Sequence, residues 1–423
     1  MVRITLSCIA ALVCVLVRLL LFNISVRWRE WRTRPRYQWL NRWPVLPWRR
    51  ACRAALLAII VVTPKTASAQ GDTYARMSVS TTQMYDGNLF ATPASRVPQA
   101  DLISRFGPAL EAGYVSIPIE LVARYAIDAE RYLSHAELNM NVARQDAGIE
   151  LRYLPRHRLG LSLDASYVAT QTPGELNLES LLAAGRAHAA RLAMGSAATY
   201  EWSAATKVTL DYAFARDELA GGVASATHSS RVGFERRTGL RNTYRVDSQF
   251  RHVGFGDGAP EASYAITGGW VHGITPRTGF EIAVGPRLTE GATRPEVSAL
   301  LRRQLRLGDL SVGYSRTQVT AIGEHGTIDV HRVAASATYR PERHLTLSVT
   351  PAFARSARDE RHVPVYTLDV EAVVEATRRL SLVASGRIGR QEGTLAGPRE
   401  AIPYRSLALK LMVTLPQRGA LPQ

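Results

Sequence analysis

The sequence predicts an all-β chain: a transmembrane antiparallel up-and-down β-barrel of about 18 strands, in the 16–18 range of known porins, with short periplasmic turns and longer extracellular loops. Three observations carry this. Apolar and polar residues alternate at period two along the mature chain. Short and long connections alternate between the alternating segments. Aromatic residues sit at both ends of those segments, in phase with the apolar positions.

The alternation is clearest in three segments. In Leu159–Thr170, Leu159, Leu161, Leu163, Ala165, Tyr167 and Ala169 share one face. In Val365–Ala376, Tyr366, Leu368, Val370, Ala372 and Val374 oppose Thr367, Asp369, Glu371 and Glu375. In Ile119–Glu130, Ile119, Leu121, Ala123, Tyr125 and Ile127 oppose Glu120, Arg124, Asp128 and Glu130. Successive side chains of a strand point to opposite faces, so each segment has one apolar and one polar side. Segments averaging about 12 residues exceed the ~5–6 of globular strands and suit a tilted membrane crossing. Glu296–Leu305 and Thr327–Tyr339 have ambiguous faces.

Short connections fall near 115–118, 154–158, 203–206, 238–241, 275–278, 306–309, 340–344 and 377–379, with turn-forming Pro, Gly and Asp among them. Longer ones fall near 84–100, 131–139, 171–186, 216–226, 254–261, 289–295, 320–326, 354–364 and 391–401. The alternation puts both ends of the barrel on the short-turn, periplasmic side. Of the long loops, Met84–Ala100 and Gln171–Arg186 are the best candidates to fold inward. Tyr114, Tyr153, Trp202, Trp270 and Tyr339 lie beside short turns; Tyr167, Phe214, Phe250, Tyr314, Phe353 and Tyr366 lie toward the long loops. Two belts on the apolar face are the expected aromatic girdles of a membrane barrel.

With the apolar faces against lipid, the lumen receives Glu120, Arg124, Asp128, Asp146, Glu150, Asp164, Asp211, Arg245, Asp247, Arg251, Asp369, Glu371 and Glu375. Both signs are interspersed, which argues against strong ion selectivity. Two readings follow: a water-filled channel with charged walls, or a barrel whose interior is filled by cross-strand ion pairs.

Charge is unevenly distributed along the 423 residues. The chain has 52 Lys+Arg against 36 Asp+Glu, a net of +16. Residues 1–69 hold 12 of the basic and one of the acidic residues, and all three cysteines, so the rest is nearly balanced. This weighs against nucleic acid as a partner. Arg49, Arg50 and Arg53, the apolar run Ala54–Val62 and the small-residue site Ala67-Ser68-Ala69 form the pattern of a signal peptide over 49–69, cleaved after Ala69. Residues 70–423 are then the barrel. Residues 1–48, basic and rich in Arg and Trp, read as an extended leader or as the product of a misassigned start. The expected location is the bacterial cell outer membrane, with outer-membrane lipid and the barrel-assembly machinery as partners.

The first hairpins read MYDGNLFATP (84–93), LISRFGPALEAGY (102–114) and ELVARYAIDAERYLSHAELN (120–139). This text resembles the β-barrel porin 2 family of proteobacterial outer-membrane proteins, often associated with exopolysaccharide systems. The resemblance implies an outer-membrane barrel, a porin-like passive channel for small solutes or glycan, and exopolysaccharide export components as partners. A non-conducting accessory barrel of an exopolysaccharide assembly and export system is the alternative.

The residues point away from an enzyme. The ten histidines are scattered, no H-E-x-x-H or cysteine pair follows Gln70, and no G-x-S-x-G elbow occurs. Gly254–Gly258 lacks the lysine of a phosphate loop. Asp86 and Asn88 read as a turn, and His325 beside Glu324 as a solvated loop pair. A hydrolase site on the outer rim is a further alternative. No catalytic residue, metal or cofactor is expected.

Overall fold

The computed structural model describes residues 71–415 except 257, 359, 396, 398 and 399. The expected signal peptide and upstream extension lie outside the described residues.

Eighteen strands form among the described residues. The first nine are β1 (Asp72–Asp86), β2 (Asp101–Val115), β3 (Ile119–Tyr132), β4 (Met140–Arg156), β5 (Leu159–Thr170), β6 (Ala189–Ser203), β7 (Thr206–Leu219), β8 (Ser225–Arg237) and β9 (Asn242–Phe255). The second nine are β10 (Glu261–Thr275), β11 (Thr278–Thr289), β12 (Ala292–Leu305), β13 (Gly308–Thr320), β14 (Thr327–Glu342), β15 (Leu345–Arg358), β16 (Arg361–Glu375), β17 (Leu380–Glu392) and β18 (Ala401–Thr414). Each strand pairs antiparallel with its sequence neighbours, and β1 pairs with β18 from Ser78↔Thr414 to Asp86↔Ser406. The sheet therefore closes on itself, and the predicted up-and-down barrel of 18 strands is the fold observed. Strands run from 12 to 17 residues. Two short 3-10 turns, Ala136–Leu138 and Pro173–Leu176, interrupt the connections.

Register keeps one face apolar around the wall. Leu163 stands opposite Ser196 and Leu151, Leu210 opposite Val232, Val246 opposite Phe234, and Leu368 opposite Ile388. Side chains on this face are exposed although large and apolar: Leu210, Val232, Phe234, Val246, Val284, Leu368, Val370 and Leu409 among them. A soluble chain rarely leaves so continuous an apolar surface uncovered. The opposite face carries the charges. The fold is inverted relative to a globular protein, with its polar side chains inside and its apolar ones out.

All eight short connections lie at one end, and they match the predicted positions. Two of the nine predicted long connections are tight turns instead. β11 and β12 remain paired to Thr289↔Ala292, leaving Glu290 and Gly291 as the turn, both at positive φ (49° and 82°). Positive φ at both central residues is what a two-residue hairpin turn matching the strand twist requires. β15 and β16 likewise pair out to Arg358↔Arg361. In both cases charged residues within the strand ends resemble loop composition, yet the backbone ladder continues through them.

Buried apolar residues gather at the long-loop end. Leu182, Ala321, Ile328, Val330, Ala354, Val363, Val365 and Leu395 form one cluster. Leu89, Ile103 and Tyr132 form a second, and Leu176, Ala189 and Ile322 a third. A core therefore fills this mouth rather than the middle of the barrel.

Replacing Gly291 with valine places a β-branched side chain at φ +82°; a loss of about 1–2 kcal/mol is expected. Urea unfolding of the refolded barrel measures it, and an unchanged midpoint would remove the turn assignment.

Candidate functional site: an inward-folded mouth

Two segments cross the mouth at the long-loop end. The first is the connection between β5 and β6, residues 171–188. It carries Pro173, Leu176, Leu181 and Leu182, an apolar set that a solvated loop has no reason to hold. Leu182 packs with Ile328 and Val330 of β14, Ala354 of β15 and Val363 and Val365 of β16. These strands lie on the far side of the ring from β5 and β6. The Ala183 N–H donates to Gln391 Oε1 of β17 at 2.8 Å. The segment therefore spans the opening from wall to wall, as the sequence suggested for Gln171–Arg186.

Its return limb is fixed by charge. The Arg186 side chain is nearly buried, 3.5 Å from both Asp86 and Glu130, and donates to Thr172 Oγ1 at 2.7 Å. Its guanidinium lies 5.6 Å from the Tyr132 ring centroid. Glu130, also buried, takes Arg105 at 2.7 Å. Glu175, on the 3-10 turn of the same segment, reaches Arg144 at 3.4 Å and Arg105 at 4.0 Å. Charges taken out of water are costly unless paired and hydrogen-bonded, so this set holds only as a unit. Arg191 of β6 adds a two-pronged pair with Asp217 (2.6 and 2.9 Å) and donates to the Leu176 carbonyl at 2.8 Å.

The second segment is the β13–β14 hairpin, whose tip is residues 321–326. Ile322 packs with Leu176 and Ala189, and its N–H donates to Asn177 Oδ1 at 3.0 Å, so the two crossing segments are joined. Val223, in the β7–β8 connection, donates its N–H to the Gly323 carbonyl at 3.1 Å. Gly323 has φ +77°, and a Cβ there would lie 2.1 Å from Leu219 Cδ2. At Gly222 a Cβ would lie 2.8 Å from the Gly323 Cα. Only two glycines permit this backbone approach.

The hairpin's other face is held by polar groups. Asp329 shares the phase of outward-facing Val333, yet it accepts from Arg287 and Arg294, which share the phase of lumen residues Glu281 and Glu296. Arg287 also meets Glu296 at 2.7 Å. Thr327 donates to Glu261, and Arg251 to the Gln318 carbonyl. The hairpin is thus bent over the mouth, and the side that faces outward lower down meets the inner wall of β9–β12.

Below the mouth, the sequence-predicted lumen residues lie on the face opposite the exposed apolar one. Most form an ion pair: across neighbouring strands stand Arg124–Glu150 at 3.3 Å, Glu120–Arg152 at 3.5 Å and Asp211–Arg231 at 2.6 Å, and within β4 Asp146–Arg144 at 3.6 Å. Arg245 bridges Asp247 (2.6 Å) and Glu281 (3.3 Å), and Asp369 takes Arg387. Asp164 lies opposite Gly195 and beside Glu150, and Asp128 sits against Gly107. Glu371 and Glu375 form no ion pair among the described residues. Arg251 belongs to the mouth. The eleven predicted girdle aromatics keep the phase of the exposed apolar face. Phe353 and Tyr366 stack at 5.0 Å between centroids, and Trp270 Nε1 donates to Asn242 at 3.1 Å.

The anchors Arg105, Arg186, Asn177, Arg287 and Asp329 were not among the predicted site residues. The apolar residues of 171–188 were the one signal for that segment. Asn88 donates its backbone N–H to Asp86 Oδ1 (3.1 Å) and its side-chain amide to the Thr92 and Pro403 carbonyls, as a turn residue does. Glu324 pairs with Arg358 at 3.2 Å, and His325 stacks on Phe255.

Fold and site together define a closed 18-stranded antiparallel barrel with a charged interior and an occupied mouth. No family model matches the chain, and no curated protein does. Among solved structures, the chain is similar to OpdO of Pseudomonas aeruginosa, at 12% identity over 81% of this chain and 97% of that one, TM-score 0.45. It is similar to OpdQ of the same organism at 11% identity, over 81% and 98%, TM-score 0.44. It is also similar to the ferric enterobactin receptor PfeA of that organism at 10% identity, over 83% and 81%, TM-score 0.44. The fold assignment itself rests on the strand pairing.

Arg186→Met removes the cation between Asp86 and Glu130. Breaking a buried pair typically costs about 3–5 kcal/mol. Amide exchange over 172–187 should accelerate while strand amides stay protected; unchanged protection of that segment would show that the arginine does not anchor it.

Proposed function

We propose that this chain is an outer-membrane barrel that acts as a passive, porin-like channel with a narrowed outer mouth. The observation that carries the reading is the sheathing of a closed sheet by exposed apolar side chains around a charged interior. A bilayer offers no water to satisfy a sheet edge, and a closed barrel leaves none. Eighteen strands suit an aqueous lumen. Cross-strand pairs on the wall leave both signs of charge facing that lumen, which supports weak ion selectivity. The crossing segments favour small solutes over wide polymers.

The resemblance of the first hairpins to the β-barrel porin 2 family supports a proteobacterial outer membrane and, through that family's usual associations, a glycan-linked setting. The second reading, a non-conducting barrel accessory to exopolysaccharide export, draws on the buried network across the mouth. Planar bilayer recording separates the two. We expect small stepwise openings from the full mature chain. Deleting residues 173–185 and joining the ends with a short glycine linker should enlarge them. Silence from both proteins would favour the accessory reading.

The sheathing is tested by charge. Val370→Arg, on the exposed apolar face of β16, should destabilise the barrel in phosphatidylcholine vesicles by about 2–4 kcal/mol at mid-membrane depth. Glu371→Arg, one residue on and facing inward, should cost far less. Equal costs would refute the assignment of faces.

A further inference from the structure

The two rims treat arginine differently. At the long-loop end, arginines such as Arg105, Arg186, Arg191, Arg287 and Arg358 are committed to carboxylates. At the short-turn end, five consecutive turns from β8–β9 to β16–β17 carry Arg241, Arg277, Arg306, Arg343, Arg378 and Arg379, all exposed. None of these six forms an ion pair among the described residues. The pairs found along this arc of turns are Arg340–Asp309 at 3.9 Å and His344–Glu342 at 3.0 Å. Like charges crowd along this arc with little to neutralise them.

The same rim exposes apolar side chains. Along the arc Leu240 sits at a turn tip, 104% exposed, Ile274 stands just before the β10–β11 turn, 46% exposed, and Leu307 adjoins Arg306. Trp270 and Tyr339, both exposed, stand on the outward face just above. A soluble polyanion would match the arginines and leave the leucines, isoleucine and tryptophan in water. A bilayer interface satisfies both: apolar tips and aromatic rings lie at headgroup level, and guanidinium groups take phosphate oxygens in pairs.

We propose that this arginine arc is a binding site for the phosphate headgroups of anionic phospholipids in the leaflet at the short-turn end. The proposal rests on the membrane reading above. The arginines are densest from β8 to β17, with Arg158 of the β4–β5 turn outside that arc, so the bound lipids gather on one side of the rim rather than in an even ring.

The test uses the mature chain refolded into vesicles of phosphatidylcholine with or without phosphatidylglycerol. After gentle detergent extraction, retained lipid is counted by mass spectrometry. We expect phosphatidylglycerol to be enriched over its share in the vesicle, and the enrichment to fall in high salt. A variant combining Arg241→Gln, Arg277→Gln, Arg343→Gln and Arg379→Gln should retain less by more than about tenfold, because each basic residue near an anionic surface is worth about fivefold in occupancy. The strand signal in circular dichroism checks that the variant folds. Equal retention of both lipids by a properly inserted barrel would overturn the site while leaving the membrane reading intact. So would dextran sulfate displacing phosphatidylglycerol and binding as tightly without vesicles, which would mark a soluble polyanion as the ligand. Failure to insert into either vesicle would overturn both proposals.

Discussion

The closure of the sheet is the constraint from which the rest follows. A strand at an open edge presents unpaired N–H and C=O groups, and in hydrocarbon each would be costly. The β1–β18 ladder removes that edge. Once the ring is closed, period-two alternation sends every second side chain to one of two environments, and the chain needs no buried apolar centre along most of its height. The lumen can remain polar because the backbone is already satisfied by neighbouring strands. What remains free to vary is how the ends are finished.

The two ends are finished by different chemistry. At the short-turn end, hairpins of two to four residues leave no chain to fold inward, so the rim is defined by turn residues alone. At the other end, two insertions meet over the opening. The connection at 171–188 combines apolar anchoring through Leu182 with a buried charge set around Arg186 and Glu130. The β13–β14 hairpin combines glycine contact at Gly222 and Gly323 with the Asp329 pairs. Each joins distant parts of the wall, and Asn177 joins one to the other through the Ile322 N–H. A lumen charged mainly by cross-strand pairs lies beneath. The arrangement narrows access from one side only.

Much of the barrel was legible in the sequence, because a closed sheet under two solvents imposes its period on every strand. Leu159–Thr170 and Val365–Ala376 show this directly. The failures are equally physical. Thr327–Val330 lacked a clear face because both sides of that strand end are covered: Ile328 and Val330 pack inward on Leu182, and Asp329 meets Arg287. A period-two pattern needs two contrasting environments, and there the contrast is gone. The tight turn at Glu290-Gly291 was obscured because Arg294 and Glu296 are polar for the sake of Asp329 and Arg287, not for a loop. The partners of Arg186 come from β1 and β3, up to 100 residues away, and no local spacing encodes them.

The crossing segments also bear on mechanics. A thin cylinder of hydrogen-bonded strands is stiff along its height but is easily squeezed into an ellipse, since flattening changes hinge angles and breaks few bonds. The chain from β5 to β6, rooted in those strands and packed through Leu182 on β14, β15 and β16 opposite, acts as a spoke across the circle. The β13–β14 tip, fastened at Val223 of the β7–β8 connection, is a second spoke across the same mouth. Two such braces stiffen that mouth, so lateral pressure would deform the unbraced lower rim before the upper one.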